Sequence, residues 1–129
     1  MRKNEFPAAV LKLLKARSGK VCEGCGERPA AQAHHRQYKS RGGHGVIENA
    51  LHLCGSGNHS GCHGDAHTEE AEALGWSIRS GFDPLEVPAQ IVLNGRRVYV
   101  RFTADGGREV IPDADAIEYL ELIHAREVA

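Results

Sequence analysis

The chain has 129 residues and nearly balanced charge, with 16 Lys and Arg against 17 Asp and Glu. That length holds one compact domain with a modest core. No run approaches the roughly 18–20 apolar residues of a membrane span, and the basic start at Arg2 and Lys3 has no apolar stretch behind it to make a secretory signal. The expectation is a cytoplasmic protein with no membrane attachment, whose four Cys read as metal ligands before they read as disulfides.

Residues 5–18 read as an amphipathic helix: Pro7 suits the first turn, Phe6, Val10, Leu13 and Leu14 recur at helical spacing, and Gly19 can end it. From Val21 to about Gly64 the pattern breaks into Gly, Cys and His. Within that stretch, residues 30–36 and 49–54 can pair as strands around Gly42, Gly43 and Gly45. Residues 63–75 read as a helix on the propensity of Ala66, Ala71, Ala73 and Leu74. Residues 83–88, with Pro84 and Pro88, read as a linker. Residues 91–93 and 98–102 flank Asn94-Gly95, a hairpin signal because Asn-Gly tolerates the positive φ angles of a type I′ turn. Val110 and Ile111 add a third strand, and residues 113–126 a helix with Ile117, Leu120 and Ile123 or His124 on one face. The sum is an α+β organisation divided into residues 1–83 and 84–129.

Charge is segregated along the chain. Residues 1–47 carry ten Lys and Arg against Glu5, Glu23 and Glu27, whereas the remainder carries six bases and fourteen acids. A basic front half suits a polyanion such as nucleic acid, although a lopsided solvated surface gives the same count.

Cys22-x2-Cys25 points two thiolates at one cation, and Cys54 with Cys62 supplies a second pair. Four sulfurs close a tetrahedral site with no position left for water or substrate, so zinc there is structural and its binding is part of folding. The interval from Cys54 to Cys62 is wider than usual, and its three Gly ease the longer loop back. His59 is an alternative fourth ligand in place of Cys62; free thiols or a redox pair are the plainer alternative.

His34-His35 closes the first predicted strand, and His63-x3-His67 puts two imidazoles on one helix face. Neighbouring strand residues point to opposite sides, so one of His34 and His35 can join a metal with His63 and His67 while the other stays free as a base. His44, His52 and His124 fit no such pairing and read as surface residues. Trp76 reads as a core plug rather than a base-stacking platform; Tyr38 stays open between those roles.

Taken in order, Cys22-x2-Cys25, His34-His35-Arg36, the Gly42-Gly43 loop, the run from Asn49 to Cys54 and Cys62-His63-x3-His67 resemble the HNH, or ββα-metal, nuclease family. Gly75-Trp76-Ser77-Ile78 and Gly81-Phe82-Asp83-Pro84 look like the tail of small HNH proteins encoded by tailed phages and actinobacteria. The resemblance spans residues 4–90. It implies a hairpin packed on a helix with a catalytic metal between them, stapled by the four-Cys zinc site, here with an N-terminal helix and a C-terminal hairpin plus helix. The implied activity is metal-dependent hydrolysis of phosphodiester bonds in DNA.

By position, the resemblance implies that His35 is the general base and that His34, His63 and His67 bind the catalytic divalent metal. Asn49 is then the residue that bonds backbone across the loop and keeps His35 in register. Three imidazoles favour Mn, Co, Ni or Zn, with Mg bound more weakly. Arg36, Lys39 and Arg41 follow the His pair, and at least one of these three candidates is expected to contact the phosphate backbone, a solvated loop being the plainer alternative. A non-catalytic, zinc-stapled DNA-binding adaptor is the alternative, but it has no use for the His and Asn set. Residues 91–129 lie outside the resemblance. They are expected to pack on the core, form a homo-oligomer or recruit a phage or host protein, and their acidity argues against DNA contact.

Overall fold

The structure, a computed structural model, describes residues 4–56 and 60–128, with side chains through residue 124. Helix α1 (Ala8–Ser18) starts after Pro7, whose φ of −66° suits helix entry. It ends where Gly19 turns left-handed at φ 65° and its amide closes on the Lys15 carbonyl. Leu14 from this helix packs with Ile47 and Ala50, joined by half-buried Phe6 and Val10.

Strands β1 (Gln32–His35) and β2 (Ala50–Leu53) pair antiparallel, with His34 opposite Leu51 and His35 opposite Ala50. Asn49 ties the long loop between them. Its side-chain oxygen accepts from the Gln37 amide at 2.7 Å, and its Nδ2 donates to the Gln37 and His44 carbonyls at 3.0 Å each. At Gly43 a Cβ would sit 1.7 Å from the Gln37 carbonyl oxygen, so glycine there serves the fold of the loop itself.

Helix α2 (Gly61–Asp65) is short, and a single 3₁₀ turn (Glu69–Glu72) follows it. The helix expected over 63–75 is therefore broken. Thr68 is extended (φ −102°, ψ 168°), and its hydroxyl donates to the Asp65 carbonyl at 2.7 Å, taking an acceptor that a continuing helix would use.

Strands β3 (Ala89–Leu93), β4 (Arg96–Phe102) and β5 (Arg108–Ile111) form a second antiparallel sheet in that order. Asn94 (φ 52°) and Gly95 (φ 77°) make the tight turn between the first two. Helix α3 (Asp113–Val128) buries Ala116, Leu120 and Ile123, while Ile117 stays exposed, one residue away from the face expected of it.

The expected linker at 83–88 stays at the surface over residues 83–86 and enters the core at its end. Val87 and Pro88 are buried, and the core on either side is continuous. Leu51, Leu53, Cys22 and Trp76 pack with Ala89, Ile91, Val100 and Phe102 in one cluster. Backbone bonds cross the same seam: Gln90 N–H to the Leu74 carbonyl at 2.8 Å and Val92 N–H to the Glu23 carbonyl at 2.9 Å. Trp76 is a core residue whose indole N–H donates to the Gln90 carbonyl at 2.8 Å. That cluster draws residues from both sides of residue 83. The result is a mixed α+β protein of small sheets. Among the described residues no helix is long and apolar enough to cross a membrane.

Candidate metal centres and the cleft beside them

Cys22 and Cys25 sit in a turn closed by the Gly26 amide on the Cys22 carbonyl at 2.9 Å. Cys54 follows β2 directly, and Cys62 lies on α2. The four Sγ atoms lie within 4.8 Å of one another, with Cys25 and Cys54 at 3.9 Å. Zinc–sulfur bonds of about 2.3 Å give a tetrahedron with edges of about 3.8 Å, so the spacing fits a metal ion and is compatible with structural zinc. A disulfide would need sulfurs about 2.05 Å apart, and all four cysteines are free.

Backbone amides support negative sulfur. Cys25 N–H approaches the Cys22 Sγ at 3.5 Å, and Cys62 N–H the Cys54 Sγ at 3.4 Å. The Cys62 thiol's hydrogen bond draws Cys22 down to about 4, while that same contact and burial push Cys62 up. Crowded thiolates cannot all ionise unaided, which is the chemistry that a divalent cation resolves. The alternative fourth ligand, His59, lies outside the described residues.

Cys62 is followed at once by His63, so α2 links this cluster to a second one. His34, His63 and His67 bring one ring nitrogen each within 4.8 Å of the others, an arrangement able to hold a metal ion. Their ring centroids form a nearly equilateral triangle: 5.1 Å for His34–His63 and 5.2 Å for each of the other two pairs. His34 Nε2 donates to the Trp76 carbonyl at 2.8 Å, and His63 Nδ1 meets the Gln32 Oε1 at 2.5 Å. Those bonds leave His34 Nδ1 and His63 Nε2 as the nitrogens with lone pairs to offer. Burial lowers His34 to about 3 and also lowers His63 and His67, which keeps the rings in the neutral form that ligates metals. His67 lies past the end of α2, its amide bonded to the Gly64 carbonyl at 3.1 Å and its ring stacked on Tyr38.

His35 has different company. Its Nε2 donates to the Asn4 carbonyl at 2.7 Å, and its ring stacks on Phe6 with centroids 3.9 Å apart and planes 19° from parallel. Burial lowers its pKa, with the Asn4 carbonyl acting in the opposite sense. His34, His35, Tyr38, Lys39, His63 and His67 line one cleft of about 250 Å³. Tyr38 and His67 also line a second groove, of about 420 Å³, together with Arg41, Glu72 and Arg79.

The basic residues after the His pair divide sharply. Arg36, expected on phosphate, is wholly buried and is corrected to an interior residue. Its guanidinium donates to the carbonyls of Gly75 (2.9 Å), Glu48 (2.9 Å), Pro84 (3.1 Å) and Val87 (2.6 Å). Lys39 is exposed in an ion pair with Glu5 at 3.3 Å. Arg41 lies over the Tyr38 ring at 4.3 Å and is anchored through Nη1 on Ser77 and Ile78. Arg17 is also interior, paired with Glu23 at 2.8 Å, so among the described residues at least two front-half bases do not face solvent. His52 is buried rather than superficial, its Nδ1 2.7 Å from the Ser18 hydroxyl.

Sequence reasoning missed Gln32, Asn4 and Phe6 as neighbours of the histidines. Gln32 had a readable signal, since it stands two residues before His34 on the same strand face. Asn4 acts through a backbone carbonyl, which carries no sequence signal. No protein-family model, no curated protein and no solved structure matches the chain.

Proposed function

We propose that this chain is a metal-dependent endonuclease of the HNH, ββα-metal type that hydrolyses phosphodiester bonds in DNA. The observation that carries the reading is the split among four histidines on one cleft. Three are close enough to share an ion, and the fourth, His35, lines the same cleft while held by other partners. A simple zinc-binding adaptor has no use for that second cluster.

In this reading β1, β2 and α2 are the ββα unit, and the four cysteines staple it. His35 is the base. Because Nε2 donates to Asn4, the lone pair is on Nδ1, which takes a proton from water as the water oxygen bonds to phosphorus. The bond from phosphorus to the 3′ oxygen breaks, and that oxygen takes a proton from solvent, leaving 5′-phosphate and 3′-hydroxyl ends. The lowered pKa of His35 keeps the ring neutral, hence able to accept, at pH 7. His34, His63 and His67 would hold a divalent cation, which supplies compensation for the charge that grows on the phosphate. Asn49 bonds the Gln37 backbone and so closes the loop that leaves β1 at His35. Lys39 at the cleft and Arg41 in the adjoining groove offer positive charge to the strand.

The test is supercoiled plasmid incubated with metal-stripped protein resupplied with Mg, Mn, Co, Ni or Zn, beside a His63→Ala variant. Nicking or linearisation restored by a divalent ion, and weakened in the variant at the same metal concentration, is expected. Binding of DNA without cutting under any ion would hand the lead to the adaptor reading.

A further inference from the structure

The base in this reading is held by a segment that precedes the whole hairpin. We propose that residues 4–6 form a strap that fixes His35 as the Nε2–H tautomer with its ring in one plane, making Asn4 and Phe6 positioning residues for the base. The proposal rests on the assignment of His35 made above.

Three contacts define the strap. The Asn4 carbonyl accepts from His35 Nε2 at 2.7 Å, and only a protonated nitrogen can make that bond. Phe6 covers one face of the imidazole at 3.9 Å between centroids. Glu5, between them, reaches the Lys39 ammonium at 3.3 Å across the loop that leaves β1. The loop lies directly against the strap: a Cβ on Gly45 would stand 1.8 Å from the Glu5 carbonyl oxygen, so only glycine lets the two backbones meet there. Pro7 then leads into α1, which Leu14 anchors in the core beside Ile47 and Ala50.

These contacts suit a base more than a buried structural histidine. His34 is enclosed and bonded to the Trp76 carbonyl, whereas His35 is half-buried and still lines the cleft. The two contacts act on the geometry of the ring: the carbonyl selects the tautomer and the Phe6 face sets the plane.

Phe6 also packs on the Leu14, Ile47 and Ala50 cluster, so truncation to Ala would mix lost folding with lost positioning. Phe6→Leu keeps apolar volume and removes the ring; Phe6→Tyr restores the ring. With plasmid as substrate, Phe6→Leu is expected to lower kcat about tenfold, part of the about 10²–10⁴ that a positioned base contributes, with KM nearly unchanged. Phe6→Tyr is expected to keep most of kcat. Nitrogen-15 NMR of the zinc-loaded protein, with His35 assigned by its loss in His35→Gln, should read Nε2–H in the native chain and a mixture of tautomers in Phe6→Leu. A folded Phe6→Leu protein with native kcat, or His35 protonated on Nδ1 in the native chain, would overturn the strap. A native protein that cuts nothing under any ion sinks the nuclease reading alone, and the tautomer and its response to Phe6→Leu then decide the strap.

Discussion

Arg36 follows the two histidines directly, and its neighbours in sequence gave it the look of a phosphate contact. Its side chain instead gathers four carbonyls from Glu48, Gly75, Pro84 and Val87, tying the loop, the post-helix segment and the former linker to one cation. Its charge is spread over backbone dipoles and the Phe102 ring, 5.2 Å away. Arg36→Leu leaves those acceptors buried without donors. It should cost about 3–5 kcal/mol, read from urea unfolding midpoints, with DNA affinity per folded molecule unchanged. Lys39 and Arg41 are the residues whose removal should weaken DNA binding without unfolding the chain. Salt dependence measures this, because each lost phosphate contact lowers the slope of log K against log salt by about 0.9.

At the scale of elements, α2 is five residues long, far below the length at which a helix holds itself in water. Its geometry comes from its ends: Cys62 in the thiol cluster, the His63 amide on the Cys54 carbonyl at 3.0 Å, and the His63 ring on Gln32. The thiol cluster and the imidazole cluster are thus coupled through one turn of backbone. Cys62→Ser should lower zinc content and, with it, the affinity of the second cluster for an added divalent ion, although no imidazole has been changed. Titration of the variant with cobalt, following the absorption of imidazole-bound ion, checks this. Structural zinc in small sites contributes about 10–16 kcal/mol of apparent binding free energy at pH 7, so chelation should also lower the melting temperature markedly.

At the scale of the molecule, the two sheets share one core, with Trp76 packed among residues from both halves. Arg108 from β5 reaches the Arg17 carbonyl at 3.1 Å, a further tie between the ends of the chain. A chain ending at residue 83 loses Ala89, Ile91, Val100 and Phe102 from that cluster. Burial of one Val-, Ile- or Phe-sized side chain is worth about 1.5–3 kcal/mol, and a small domain has about 5–15 in all, so this truncation should show no cooperative melting by circular dichroism.

Much of this was legible in the sequence where local chemistry decides: Gly19 ending α1, Asn94-Gly95 making the turn, and the pairing of the segments around the histidines. The metal-ligand spacings were legible because ligation needs particular atoms. What could not be read depends on distant packing. The burial of Arg36, the entry of Val87 and Pro88 into the core and the place of Ala116 rather than Ile117 on the buried face of α3 are set by packing partners that no local pattern names. The carbonyl of Asn4 is invisible in any residue pattern.

The most direct measurement is the single-turnover rate of plasmid cleavage by His35→Ala beside the native chain, at matched zinc content and matched circular dichroism. A fall of about 10²–10⁴ in rate with DNA binding retained is the expected result. Equal cleavage by the two proteins would contradict it and remove His35 from the chemistry.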